Sequence, residues 1–190
     1  MAKFTKKAII YGFLRILKEK SLDKVTVKDI CELCEINRNT FYYYFDDVYD
    51  VLDYIFQIEK EAVLKENEGN PSFYDEYRRS AALILNNKKA VMHIAESKHG
   101  DTLRGYLEVV IDEFVRRAVE KKAEGYNLSE EDLNYIIAFY SYAILGSTMK
   151  WIELGLPPYK EDMITQIAES FEVTIMDLIS MFSDQKSDKS

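Results

Sequence analysis

The stretch from Thr26 to Tyr44 concentrates side chains suited to hydrogen-bonding nucleic acid. Lys28 and Arg38 supply cations, Asn37 and Asn39 amides, Thr26 and Thr40 hydroxyls, and Tyr42, Tyr43 and Tyr44 phenols. A guanidinium can pair with guanine O6 and N7 through two N–H groups, and a carboxamide can pair likewise with adenine, each contributing about 1–3 kcal/mol of discrimination. Hydroxyl, phenol and ammonium groups suit phosphate oxygens, which position a protein without reporting sequence. On that division Arg38 and Asn39 read bases, while Lys28, Thr40 and Tyr42 hold the backbone. Tyr44 stays open between backbone contact and packing.

Other chemistry finds less material. Cys31 and Cys34 stand three apart, a spacing that metals and redox centres use, but closed zinc sites take four ligands. The only histidines, His93 and His99, lie some 60 residues away and no second cysteine pair exists. One turn apart on a helix, the two thiols read as small packing residues. There is no glycine-rich phosphate loop and no cluster of metal-binding side chains. The sequence therefore points away from an enzyme and calls for no metal or cofactor.

Helices must position the Thr26–Tyr44 groups. Apolar residues Ile9, Ile10, Phe13, Ile16 and Leu17 recur at steps of three and four, predicting a one-sided helix from Lys6 to about Lys20. Thr26, with Asp29 three positions on, is a capping-box-like start for a second helix from Val27 to Cys34. Glu35-Ile36-Asn37 interrupts the period, and Asn37 can cap a short third helix from Arg38 to Phe45. Phe41 and Phe45, four apart, share one face and should pack against Ile30, Cys34 and the first helix. Standing alone, Phe41 to Phe45 would read as an aromatic core segment. Three consecutive tyrosines cannot all point inward on one helix, however, so at least one phenol must be exposed.

Two helices joined by a three-residue turn give helix-turn-helix geometry, with the second presented to the major groove. The full string from Thr26 to Leu52, TVKDICELCEINRNTFYYYFDDVYDVL, resembles the DNA-binding signature of the TetR family: a Thr-Val helix start, Ile followed by small residues, a polar cap, and a Thr-x-Tyr-x-x-Phe recognition helix. The resemblance covers about residues 5–55 and implies a DNA-binding dimer. Three positions depart from the pattern: Glu35 where glycine commonly precedes the turn, Ser21 where glycine follows the first helix, and Val48 where a lysine usually stands. With Asp46, Asp47 and Asp50 nearby, the loss of that lysine opens a second reading, a TetR-like co-regulator or adaptor that binds DNA weakly and acts through protein contacts.

Net charge is −8, with 25 basic and 33 acidic residues, which sits awkwardly with a polyanionic partner. The average conceals an asymmetry, because residues 1–45 hold nine basic and five acidic residues, +4, leaving −12 for the remainder. Exposed charges are screened beyond about 8 Å at physiological salt, so acid held away from the docking face need not prevent contact. With 47% hydrophobic residues, 7 Gly and 3 Pro, the chain is expected to be a helix-rich globular protein. Ala8 to Leu14 is far shorter than the roughly 20 residues a bilayer span needs, and the basic start lacks a small-residue cleavage site, so a cytoplasmic, non-membrane protein is expected.

Beyond Val48 the pattern predicts a linking helix reaching the Glu66 region and broken by Gly69-Asn70-Pro71, then helices over 72–86, 88–96 and 102–123. Ser129 with Asp132 opens a helix from Glu130 to Leu154, which Gly155 and Pro157-Pro158 end; a last helix runs from Lys160 to Phe182, and residues 183–190 are expected to fray. The expected architecture is all-α: an N-terminal three-helix helix-turn-helix domain over 1–47 and a helical dimerisation and effector-binding domain over 48–190. The helix from Glu130 is apolar on almost every side, suiting, with the last helix, an intersubunit four-helix bundle, hence a homodimer and a palindromic operator. The segment Leu145–Leu156, with Gly146, Trp151, Ile152 and Gly155, is similar to the C-terminal region of TetR regulators found near dihydroxyacetone kinase. Met92, His93, Phe114, Tyr135, Phe139, Tyr142, Met149 and Trp151 could line a pocket for a small-molecule effector, or equally be ordinary core.

Overall fold

A computed structural model of the protein describes residues 2–65, 72–157 and 162–187. Nine α-helices occur among them: α1 (Ala2–Leu17), α2 (Val27–Cys34), α3 (Arg38–Tyr42), α4 (Val48–Lys65), α5 (Phe73–Asn86), α6 (Lys88–Ala95), α7 (Gly100–Lys122), α8 (Glu130–Glu153) and α9 (Asp162–Ser187), with a single 3-10 turn at Leu22–Lys24. No strand occurs among the described residues, so the all-α expectation holds. None of the described helices is long and apolar enough to cross a membrane.

Most boundaries fall within a few residues of those predicted, and the differences have local causes. The first helix starts earlier and stops at Leu17, because Lys18, Glu19 and Lys20 tighten into turns bonded to Arg15 and Ile16 carbonyls. The connection read as plain loop contains the 3-10 turn, closed by Val25 N–H on the Leu22 carbonyl and fixed by the fully buried Leu22. The third helix is shorter than expected, ending at Tyr42, with Tyr44 and Phe45 both bonded to the Phe41 carbonyl. The last helix continues to Ser187 instead of fraying from Ser183, since no Gly or Pro interrupts it. The breaks at Gly69-Asn70-Pro71 and at Pro158, the start at Lys160 and the final residues 188–190 lie outside the described residues.

The chain divides into two compact units, residues 1–65 with 86–106, and residues 66–85 with 107–190. The first unit therefore takes in α4 and α6 beside the three helices assigned to residues 1–47 from the sequence. In this unit α1 packs against α2, α4 and α6. Ile9, Phe13 and Leu17 form its inward stripe and are fully buried, as the three- and four-residue steps require. His93 of α6 donates from Nδ1 to the Leu17 carbonyl at 2.7 Å, satisfying one of the open acceptors at the end of α1.

The second unit is built on the packing of α8 with α9 and contains α5 and most of α7. Ser129 and Asp132 form the predicted capping box of α8, and Gly155, at φ +79°, supplies the left-handed residue after its end. Within this unit the Phe73 ring lies 4.3 Å from Phe171, and the Tyr140 ring meets Phe171 edge-on at 5.0 Å. Glu76, 7% exposed, accepts from Arg117 at 2.9 Å, while burial pushes its carboxyl up against the pull of the guanidinium.

The approach of α1 to α2 depends on one missing side chain. A Cβ at Gly12 would lie 2.5 Å from Cys34 Sγ, well inside van der Waals contact, and that thiol donates to the Ala8 carbonyl at 3.2 Å. Gly12→Ala is expected to destabilise the protein by about 1–3 kcal/mol through overpacking. Cys34→Ala in the same background should recover most of that loss in denaturant unfolding, and an additive double variant would show that the two groups do not compete for space.

Candidate nucleic-acid interface

The two helices of the motif are each capped at their start. At the start of α2, Thr26 Oγ1 accepts from Asp29 N–H at 3.2 Å while Asp29 Oδ2 accepts from Thr26 N–H at 2.8 Å, completing the predicted capping box. Lys20 adds an ion pair to the same Asp29 oxygen at 2.6 Å. The Lys20 bond, followed by those from Thr26, holds the Asp29 carboxyl at about 2. At the start of α3, Asn37 Oδ1 accepts from Thr40 N–H at 2.8 Å and from the Thr40 hydroxyl at 3.1 Å. Between the two helices Glu35 sits at φ 53° and ψ 41°, a left-handed conformation that glycine adopts without strain.

The orientation of α3 follows from its apolar side. Phe41 is fully buried and Phe45 2% exposed, with ring centroids 6.1 Å apart. Lys6 is placed 5.0 Å from the centre of the Phe45 ring and 3.5 Å from that of Tyr54, so its charge is engaged inside the fold. The opposite side of α3 is open to solvent. Arg38 and Asn39 are exposed, Tyr42 is 52% and Tyr43 77% exposed, and Thr40 and Tyr44 are half-buried. Tyr43 and Tyr44 meet edge to face at 4.9 Å.

The nine candidates are thus gathered on two adjoining helices, but they are not equally available. The hydroxyls of Thr26 and Thr40, and the Asn37 carbonyl oxygen, already serve the caps, so their first role is to aim α2 and α3. Lys28 is exposed and only loosely paired with Glu32 at 3.6 Å, an interaction worth no more than about 1 kcal/mol that a phosphate can displace. Arg38, Asn39, Tyr42 and Tyr43 have no competing side-chain hydrogen bond among the described residues. Sequence reasoning missed Lys20, whose partner is nine positions away, and Lys6, whose ring partners follow only from the packing of α4.

The three departures now have physical readings. Val48 is 6% exposed and belongs to the core at the start of α4, so its side chain has no route to a phosphate. Asp47 Oδ1 accepts from Tyr49 and Asp50 N–H at 2.8 and 2.9 Å, and Asp50 Oδ2 from Asp46 N–H at 3.0 Å, which makes Asp47 and Asp50 caps of α4. Ser21, at φ −52°, needs no glycine. Cys31 and Cys34 are free, and burial raises both thiols, keeping them protonated and poor as ligands or nucleophiles. No cluster of metal-binding side chains occurs among the described residues.

The eight residues expected to line an effector pocket do not gather within one unit. Met92 and His93 lie on α6 of the first unit, with His93 bonded to Leu17. In the second unit Phe114 and Trp151 are buried and Met149 half-buried. Tyr135, Phe139 and Tyr142 are 55%, 52% and 66% exposed, on the side of α8 opposite the buried Ile136, Ile137 and Ile144.

Comparison with known proteins agrees with this geometry. The family described as bacterial regulatory proteins of the tetR family matches residues 9–55, and a transcriptional regulator C-terminal region, TetR_C_8, matches residues 72–173. An 82-residue segment, 43% of this chain, is 25% identical to YxbF, an uncharacterized HTH-type transcriptional regulator of Bacillus subtilis strain 168, and covers only 20% of that protein. Among solved structures, the dihydroxyacetone kinase operon activator DhaS superposes with a TM-score of 0.74 at 17% identity, covering 94% of this chain and 98% of DhaS. A TetR transcriptional regulator from Streptococcus agalactiae 2603V superposes at 0.59 and 16% identity, over 96% and 95% of the two chains.

Two substitutions test how the motif is held. Glu35→Gly should raise stability by about 0.5–1 kcal/mol in denaturant unfolding, since relief of the left-handed strain exceeds the added freedom of the unfolded chain. Asp29 has a depressed folded-state value, so its contribution is present above the ordinary carboxylate range and is lost as pH falls through about 2. Asp29→Asn should therefore unfold more easily than the parent at neutral pH, with the gap closing progressively on acidification below about pH 5. A gap independent of pH would remove the ion-pair account.

Proposed function

Because the chain belongs to the TetR family and is a DNA-binding transcriptional regulator, we propose that it acts as a homodimeric, ligand-responsive repressor of a palindromic operator. The observation that carries this reading is the solvent-facing side of α3, where Arg38, Asn39, Tyr42 and Tyr43 stand together while Phe41 fixes the helix from behind. In the proposed complex Arg38 and Asn39 reach base edges, and Tyr42, Tyr44 and Lys28 hold phosphates. Asn37, Thr26 and Thr40 orient the helices. Membership in this family assigns regulation and not catalysis, and a site of action in the cytoplasm fits it.

The homodimer reading is supported by α8 and α9. Tyr135, Phe139 and Tyr142 share one side of α8 and are each at least 52% exposed, and Val173 and Met181 on α9 are also exposed, apolar side chains that a subunit contact would cover. Covering this face with its own copy gives the isologous contact expected of a two-fold dimer, with two α3 helices presented to successive turns of DNA. An effector is proposed to act on the second unit, with Phe114, Met149 and Trp151 as its candidate inner contacts. It would shift the population of DNA-competent dimers by binding one conformer better. DhaS, a structural neighbour, is named as an activator. The second reading, a co-regulator with weak DNA binding of its own, is favoured by Asp46, Asp47 and Asp50 beside α3.

Selection of duplexes from a random library by the purified protein tests the proposal. A palindromic sequence should emerge, with affinity falling steeply as salt rises. Arg38→Ala and Tyr42→Ala should each weaken binding by roughly tenfold or more, about 1–3 kcal/mol, without changing the sedimenting mass. Tyr142→Glu should instead yield monomers. Failure to select any sequence would favour the co-regulator reading.

A further inference from the structure

Lys6 is one of three lysines in the first seven residues, and its ammonium is committed to rings. Nζ lies 3.5 Å from the centre of the Tyr54 ring and 5.0 Å from that of Phe45. The residue is half-buried, while its neighbour Lys7 is exposed. Both rings belong to the passage from α3 into α4, Phe45 lying just beyond α3 and Tyr54 on α4. They meet edge to face at 5.7 Å, Phe45 tilts against Phe41 at 6.1 Å, and Phe41 meets Tyr42 edge-on at 5.6 Å. A continuous line of rings therefore joins the Lys6 ammonium to Tyr42, which is 52% exposed on the open side of α3. The two ends of α3 are held differently. Asn37 caps the start with its side chain, whereas the exit runs through Tyr43, Tyr44 and Phe45 on backbone bonds to Asn39 and Phe41.

We propose that Lys6 is a positioning residue for DNA binding: from α1 it clamps Phe45 and Tyr54, fixes the exit of α3, and makes no phosphate contact. This role rests on α3 being the helix that meets DNA. A five-residue helix has few bonds to lose, so its exit depends on how firmly Phe45 is seated. A cation over an aromatic face is held by the ring quadrupole, and more strongly where water is excluded, as around the 2% exposed Phe45. An ammonium serving a phosphate from this position would have to leave both rings, and α3 would lose its clamp at the moment of binding. The two roles differ in their salt signature. A phosphate contact contributes about one released counterion to the salt dependence of binding, and a positioning contact contributes none.

The test compares the full-length parent with Lys6→Met, which keeps an apolar stem, Lys6→Arg, which keeps the cation, Tyr54→Leu, the Lys6→Met/Tyr54→Leu double variant, and Lys7→Met. In the free protein, proton NMR should place the Lys6 ε-methylene upfield of the other lysines through the Tyr54 ring current, and Tyr54→Leu should abolish that displacement. Amide exchange at Tyr43–Phe45 should quicken roughly threefold to tenfold in Lys6→Met, return towards the parent rate in Lys6→Arg, and stay at the parent rate in Lys7→Met. Affinity for the selected duplex should fall by a similar factor in Lys6→Met with its salt slope unchanged, and the double variant should be little weaker than Tyr54→Leu alone. A slope reduced by about one counterion would make Lys6 a phosphate contact. Parent-like exchange and affinity in Lys6→Met would leave its charge without a role, and additive losses would uncouple it from Tyr54. Each of these three results overturns the proposal. Failure to select any duplex would sink the operator reading, and the ring-current and exchange measurements on the free protein would still decide whether Lys6 clamps α3.

Discussion

A helix of five residues has no stability of its own, so α3 exists only because its surroundings impose it. Burial of Phe41 supplies most of the constraint, worth about 1.5–3 kcal/mol in transfer terms. The Asn37 cap adds about 1 kcal/mol and fixes where the helix begins. Once Phe41 is inside, helical geometry turns Asn39, Tyr42 and Tyr43 outward, and Arg38 is exposed at the first position of the helix. The chemistry exposed on α3 is therefore a consequence of one buried ring, and the caps on α2, α3 and α4 serve to aim it.

Much of this could be read from residues alone, because short-range rules govern it. Thr26 with Asp29, Asn37 before α3 and Ser129 with Asp132 announce helix starts through side chains only three positions apart, and all three form. The inward stripe of Ile9, Phe13 and Leu17 follows from periodicity. Contacts that depend on how helices meet were not legible. The Lys20–Asp29 pair, Lys6 over Tyr54 and the Gly12–Cys34 approach join residues separated by nine to 48 positions, and no local pattern specifies them. Glu35 illustrates the intermediate case: an expected glycine marked the position as unusual, and the left-handed backbone found there supplies the reason.

The second unit was legible in outline but not in purpose. An almost uniformly apolar α8 implies burial from several directions, yet composition cannot say whether its aromatic residues face the core, a ligand or another copy. The structure divides them: Ile136, Ile137, Tyr140 and Trp151 pack inward, while Tyr135, Phe139 and Tyr142 remain outside. That division makes the exposed aromatic residues better suited to subunit contact than to an enclosed ligand site. Inside, the Glu76–Arg117 pair and the buried hydrogen bond between Tyr77 and Thr148, 3.1 Å long, place polar groups at fixed points of an otherwise apolar interior.

The central claim is that the exposed side of α3 is the surface that meets DNA. Hydrogen–deuterium exchange of the full chain with and without a selected duplex addresses it most directly, because it reports backbone protection along the whole sequence at once. The account predicts new protection concentrated at Thr26–Lys28 and Asn37–Tyr44. Protection elsewhere, with α3 exchanging as freely as in the unbound protein, would contradict it.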